Sequence, residues 1–305
     1  MPHILDKADV KKKVVIVGAG PAGLEAARVA GERGHKVVVF EAANNPGGQI
    51  RLTAQSERRR EMISIIDWRM SQCEKYDVAF HFQQLGGSRH DRSRKPRCRH
   101  YRDRRPAAYR GAFEGATELV VSSWDIISGD VKPGTNVLIF DDAGDHAGLQ
   151  AAEFLAKAGA KVEIMTPDRS FAPEVMAMNL VPYMRSLQKH DVTFTVTYRL
   201  EAVEKSGNQL VAHVGSDYGG IAKQSSYDQI VVNHGTIPLD ELYFELKPNS
   251  SNLGEISHDQ LLAGEPQSVV RNPEGKFQLF RIGDAVAARN THAAVYDGLR
   301  IAKDI

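Results

Sequence analysis

Three glycines and one acid carry the strongest chemical signal in this sequence. The loop Gly18-Ala19-Gly20-Pro21-Ala22-Gly23 follows directly on the apolar run Val14-Val15-Ile16-Val17 and leads into Leu24-Glu25-Ala26-Ala27-Arg28-Val29-Ala30. That order predicts a short buried strand, a tight turn and a helix that stops at Gly34. Gly18 permits the turn, Gly20 lets the backbone approach a pyrophosphate, and Gly23 lets the helix pack closely on the strand while its N-terminal amides face the phosphates. Ala19, Pro21 and Ala22 complete the loop. A second strand, Lys36-Val37-Val38-Val39-Phe40, ends in Glu41, roughly 20 residues past the loop, where a carboxylate can bind an adenosine ribose diol.

These elements must sit in a chain of 305 residues, enough for two domains at about 100–200 residues each. Hydrophobic residues make up 42% and charged residues 25%, an ordinary globular composition. Lys+Arg 39 against Asp+Glu 38 leaves a net charge of +1, so no global field would draw the protein to nucleic acid or anionic lipid. The two cysteines, Cys73 and Cys98, are too few for a disulfide framework or for a four-ligand zinc or iron–sulfur site, and no metal ligands are nominated. A reducing, cytoplasmic setting is expected. The apolar runs fall short of the ~20 residues of a membrane span, and Met1-Pro2-His3-Ile4-Leu5-Asp6 has no signal-peptide core.

The middle of the chain repeats the first pattern imperfectly. Gly134-Thr135-Asn136 introduces the strand Val137-Leu138-Ile139-Phe140, and Gly148-Leu149-Gln150-Ala151-Ala152-Glu153 echoes Gly23-Leu24-Glu25-Ala26-Ala27. A further strand follows through Ala160-Lys161-Val162-Glu163-Ile164-Met165. Aligning Gly148 on Gly23 puts Ala143 in place of Gly18, Asp145 in place of Gly20, and Thr166 in place of the ribose-binding acid. A carboxylate about 4 Å from a phosphate charge is repelled by roughly 4 kcal/mol at an effective dielectric of 20. NAD(P)H binding here is therefore disfavoured. The fold expected is α/β, with two Rossmann-like three-layer nucleotide-binding domains: a discontinuous first domain, 1–121 plus 232–305, and a second, 122–231, inserted into it.

Two further segments bear on which nucleotide binds. Asn44-Asn45-Pro46-Gly47-Gly48-Gln49-Ile50 follows Glu41, and Phe277-Gln278-Leu279-Phe280-Arg281-Ile282-Gly283-Asp284 comes near the other end. Both resemble the flavoproteins with two dinucleotide-binding domains. The resemblance implies that Gly47, Gly48 and Gln49 lie along the nucleotide and that Asp284, after Gly283 at the end of a strand, meets the flavin ribitol. Gly235, in Val232-Asn233-His234-Gly235-Thr236, is assigned to the same cofactor edge. The cofactor implied is FAD, or ADP at the same site.

Almost the whole chain is similar to the C-terminal portion of the trimethylamine dehydrogenase and 2,4-dienoyl-CoA reductase family, on the amine-demethylating side. The residues that carry this are Val17 to Gly23, Glu41 to Gln49, Asp141-Asp142-Ala143-Gly144-Asp145-His146-Ala147-Gly148, Ile282-Gly283-Asp284-Ala285-Val286-Ala287-Ala288-Arg289, and Ala294-Val295-Tyr296-Asp297-Gly298-Leu299-Arg300. In that family an N-terminal barrel carries FMN and an iron–sulfur cluster, and this sequence contains no counterpart. The resemblance implies a separate FMN/iron–sulfur barrel or a homodimer partner, and a protein electron acceptor. It leaves two other functional readings open: a non-catalytic ADP-binding module, and an NAD(P)H-dependent flavin reductase. No Cys-x-x-Cys is present, which excludes thioredoxin-reductase dithiol chemistry. No catalytic residue is nominated; His234 and His292 stand near the expected cofactor edge as lone histidines.

One stretch departs from its surroundings: Leu85 to Glu114 contains Arg89-His90-Asp91-Arg92-Ser93-Arg94-Lys95-Pro96-Arg97-Cys98-Arg99-His100-Tyr101-Arg102-Asp103-Arg104-Arg105. An RNA-binding loop or a solvated insert would account for the charge. A shift of reading frame accounts for more. Back-translating His100 to Tyr109 and reading one base forward yields Ile-Ile-Ala-Thr-Gly-Gly-Leu-Pro-His, an apolar strand with a glycine turn of the type seen in the resembled family. The expectation is a pair of compensating frameshifts, with arginines that arise from GC-rich codons. Resequencing the locus should expose the two shifts. A clean frame for the basic stretch in an independent isolate would refute them.

Overall fold

The computed structural model describes residues 5–84, 119–220 and 222–305. The arginine-rich stretch, and with it the expected frame shift at 85–114, lies outside these residues. The chain begins as β1 (Lys13–Val17), α1 (Pro21–Glu32), β2 (Lys36–Phe40), α2 (Gln49–Thr53), α3 (Ser64–Lys75) and β3 (Ala79–His81). The three strands are parallel in the order β1-β2-β3, with Val14 opposite Val37 and Val38 opposite Ala79. Pro21 opens α1, where its missing N–H costs nothing, and Gly34 just past the end takes a left-handed φ of +95°. The helix is buried from Ala22 to Gly31, charged residues included. Glu25 answers both Arg28, at 2.6 Å, and Arg69 of α3, at 2.7 Å. Burial of these ions is tolerable because each has its partner.

The middle of the chain runs β4 (Val121–Ser122), α4 (Ser123–Ser128), β5 (Asn136–Asp141), α5 (His146–Lys157), β6 (Lys161–Met165), α6 (Ala177–Lys189), β7 (Thr193–Thr195), β8 (Arg199–Ser206), β9 (Gln209–Gly215), β10 (Ala222–Tyr227) and β11 (Gln229–Asn233). A five-stranded parallel sheet has the order β4-β11-β5-β6-β7, and β10-β9-β8 form an antiparallel sheet. Leu138, Phe140 and Ile230 of the first pack with Leu200, Val203, Ala212 and Val214 of the second. One layer beside the parallel sheet is thus an antiparallel sheet. The chain closes with α7 (Glu241–Leu246), α8 (His258–Ala263) and α9 (Thr291–Lys303). Helix α9 docks on α1 through Gly298, where a Cβ would lie 2.3 Å from the Ala22 carbonyl oxygen.

The described residues divide into two compact units, 5–54, 60–84 and 237–305 in one, and 55–59, 119–220 and 222–236 in the other. Two expectations are corrected. The second unit reaches past residue 231 to Thr236, because β11 continues through Asn233, paired with Asp141 of β5. It also holds 119–121, since Val121 of β4 pairs with Val231. The segment ahead of Gly283 is not a strand: the N–H of Leu279 donates to Asn252 Oδ1 and its carbonyl accepts from Asn252 Nδ2, both at 2.9 Å. A side chain satisfies the groups that a sheet neighbour would otherwise take. Asp284 accordingly sits in a 3-10 turn, Gly283–Ala285.

Candidate nucleotide-binding site

The first glycine loop is shaped from within. The N–H of Gly18 donates to the Phe40 carbonyl at 2.8 Å, and the residue takes φ +98°, open to glycine at little cost. A Cβ on Gly23 would lie 2.0 Å from the Gly18 oxygen, so the close packing of helix on turn requires this glycine. Gly20 is different. It caps α1 with an ordinary extended φ of −74° and no side-chain hydrogen bond, and a Cβ there would meet no protein atom within 4 Å. Neither its backbone nor its protein neighbours call for glycine. The first-turn amides of α1 follow directly, and a helix N-terminus of this kind favours an anion.

Glu41 leaves the end of β2 and turns its carboxylate to the loop. Its Oε2 accepts from the Ala19 N–H at 2.6 Å and its Oε1 from the Ala43 N–H at 2.8 Å. With about four lone-pair sites, the carboxylate keeps capacity for a diol. The second glycine pair runs alongside: the Gly47 N–H donates to the Ala19 carbonyl at 2.8 Å, and a Cβ on Gly48 would lie 3.5 Å from Gly20 Cα. Gly47 and Gly48 both have positive φ, +123° and +51°. From the far end of the chain, Gly283 packs against Ala22, where a Cβ would come within 2.6 Å of the alanine's own. Asp284 next to it accepts from Gln49 Nε2 at 3.1 Å. Burial pushes the Asp284 carboxyl above its ordinary value, while the backbone N–H and charge of Arg289 act the other way. Gly18, Ala19, Gly20, Pro21, Ala22, Gly23, Glu41, Gly47, Gly48, Gln49, Gly283 and Asp284 therefore share one unit and one neighbourhood.

Gly235 belongs to the second unit, with φ +79° and its would-be Cβ 3.8 Å from that of Ala143. Of the two histidines, His234 binds Asp142 at 2.8 Å, and His292 stacks on Tyr296 with ring centroids 6.5 Å apart. Cys73 is buried and its thiol is pushed up to about 12 by that burial, so it carries no thiolate chemistry. Residues missed by sequence reasoning include Asp297 and Asn233, both polar and both buried.

The second glycine-loop counterpart is filled by its own side chains. Asp145 caps α5 as Gly20 caps α1, but its Oδ1 accepts from the Ala147 N–H at 2.9 Å and from Asn233 Nδ2 at 3.0 Å. Asn233 also donates to Asp141 Oδ1 at 2.8 Å, and that oxygen accepts from the Gly144 N–H. Thr166 Oγ1 accepts from the Asp168 N–H at the end of β6. Asp141 lies 3% exposed beneath Gly148, where a Cβ would meet its Oδ2 at 2.3 Å.

The model of the NAD(P)-binding Rossmann-like domain matches residues 16–80, the part of the chain that builds this loop. All of the chain aligns, at 76% identity over 310 positions, with 45% of the "Probable N-methylproline demethylase" of Rhizobium meliloti (strain 1021). The chain is likewise 39% identical over its full length to 45% of the "N,N-dimethylglycine/sarcosine dehydrogenase" of Chromohalobacter salexigens. It therefore spans just under half the length of the curated relatives it matches. Among solved structures, 2-naphthoyl-CoA reductase in complex with 2-naphthoyl-CoA superposes with a TM-score of 0.75 at 21% identity, over 99% of this chain and 41% of that one. The chain thus shares its fold with part of that reductase.

Asp141 gives a measurable consequence. Burial raises its carboxyl from 3.8 to about 7, against the pull of Asn233 and the Gly144 N–H. A raised acid contributes stability below its unfolded value and loses it as pH rises through the folded one. The second unit should thus weaken, on this residue's account, between about pH 4 and pH 7. Asp141→Asn, which keeps an acceptor oxygen, is expected to flatten that part of the profile in pH-dependent thermal denaturation. An unchanged slope would place the titration elsewhere.

Proposed function

We propose that this chain is the FAD-binding half of a flavin-dependent oxidoreductase that oxidises N-methylated amines, with a substrate-oxidising half carried outside the sequence described here. The observation that carries the FAD reading is the open space over Gly20 together with Glu41 on one side and Asp284 on the other. The N-terminus of α1 would hold the pyrophosphate, Glu41 the adenosine ribose, and Asp284, oriented by Gln49, the ribitol hydroxyls. Bound FAD would supply two-electron chemistry and a route for electrons away from the amine. The residues described here bind and orient it; none is assigned to proton transfer.

The architecture proposed is two Rossmann-like domains with the second inserted into the first. The second acts as a scaffold, because Asp145 and Asn233 occupy the position that a dinucleotide phosphate would need. Electrons then leave to a protein acceptor, and the medium is the reducing interior of the cell. No described helix is long and apolar enough to cross a membrane. The second reading, an ADP-binding structural module, draws on the same geometry: Gly20 and Glu41 face the ADP part alone, and the flavin end rests on Gln49 and Asp284.

The spectrum of the purified chain separates the two. Absorption near 450 nm is expected for FAD, and a colourless protein that releases ADP on denaturation would replace it with the structural module. Glu41→Ala should weaken nucleotide binding by about 1–3 kcal/mol, the range for a charge-assisted hydrogen bond left unmade. Gly20→Val should be worse, since its side chain enters the open seat. Equal nucleotide content in all three proteins would remove this loop as the site. Calorimetric titration with NADH and NADPH is expected to show no binding. A dissociation constant in the micromolar range, about −8 kcal/mol, would instead support a nicotinamide-dependent reductase.

A further inference from the structure

Among the described residues no strand pairs with the turn that carries Asp284, and a buried carboxylate holds it. Asp297, on α9 and 7% exposed, accepts from the Gly283 N–H at 3.1 Å through Oδ2, and the same oxygen binds Arg289 Nη2. Arg300 Nη2 stands 3.6 Å from the other oxygen, Oδ1. Gly283 opens the turn and Arg289 closes it, one residue before the Asn290 cap of α9. Asp297 therefore ties both ends of the loop to the helix. Asp284, the residue after Gly283, accepts from Gln49 Nε2 at 3.1 Å, and the backbone and charge of Arg289 favour its ionised form. Removing Arg289 takes one partner from the buried Asp297 carboxylate and frees one end of the loop.

We propose that Asp297, acting with Arg289, is a positioning pair that fixes Asp284 for the flavin-bearing half of FAD and gives this site its preference for FAD over ADP. The inference rests on the FAD reading above. The ADP half would be served by the α1 N-terminus and by Glu41, whose bonds run to Ala19 and Ala43 and involve neither Asp297 nor Arg289. Loosening the Gly283–Asp284 turn should consequently cost affinity for FAD and leave ADP alone.

The test uses the full chain stripped of nucleotide, titrated with FAD by flavin fluorescence and with ADP by calorimetry. Arg289→Gln is the primary variant, because its side chain is 43% exposed and folding does not hinge on it; Asp297→Asn is the second. Each should bind FAD about tenfold more weakly, about 1.4 kcal/mol, with ADP unchanged within about twofold, and Arg289→Lys should recover part of the loss. An equal loss of FAD and ADP would assign the pair a general structural role and overturn the proposal, as would unchanged FAD affinity. Parent protein that binds ADP but not FAD, or neither, would overturn the FAD reading itself, a result visible before any variant is made.

Discussion

Three close approaches gather around Ala22, in the first turn of α1. Gly298 of α9 approaches its carbonyl, Gly283 approaches its Cβ, and Gly23 beside it lies under the Gly18 oxygen, each at a distance that leaves no room for a side chain. The N-terminus of α1 is thus held by elements from both ends of the chain, with space left at Gly20. A ligand bound there is met by a rigid set of amides. That rigidity lowers the ordering cost of binding.

The two units share a strand, a turn and a capped helix, yet differ in what stands at the cap. Gly20 presents bare backbone, whereas Asp145 presents a carboxylate already bonded to Ala147 and Asn233. A negative charge at a helix N-terminus is favourable by about 0.3–1 kcal/mol or more, so Asp145 takes for the fold what a phosphate would take for a cofactor. Asn233 completes the exchange by bridging Asp145 to Asp141, and Ser123 Oγ satisfies its amide oxygen at 2.9 Å. Inserting a dinucleotide would require breaking this network and seating a second negative charge beside the first. The apolar strands around it, Val137 to Phe140 above all, are fully buried and need no ligand to remain so.

What the sequence made legible was local. Strand, glycine turn, helix and terminal acid lie within 30 residues, and each has a side-chain signature of its own, so β1, α1, β2 and Glu41 could be placed together from Gly18 onward. The Gly283–Asp284 turn was recognisable as a motif, but the strand expected before it was not there, because Asn252, 27 residues earlier, takes up the Leu279 backbone. Gly235 falls in the second unit, which extends through β11 to Thr236. Asn233 and Asp297 were not singled out. Their roles depend on partners 92 and 14 residues away, which no local pattern encodes.

One feature of β1 links the fold back to the chain's anomalous stretch. In the second unit β5 has a parallel neighbour on each side, and Val137, Leu138 and Ile139 are fully buried. Among the described residues β1 pairs with β2 alone, and its Val15 and Val17 remain 53% and 52% exposed. Valines in a parallel strand are ordinarily covered on both faces. Burying them needs apolar chain, and an arginine-rich segment could be placed against them only with its charges left in water or paired. The Ile-Ile-Ala-Thr-Gly stretch that the shifted frame encodes has the length and apolar character that covering such a strand requires. Val15 and Val17 mark the face of β1 that an apolar neighbour would cover, next to the loop that carries Gly20.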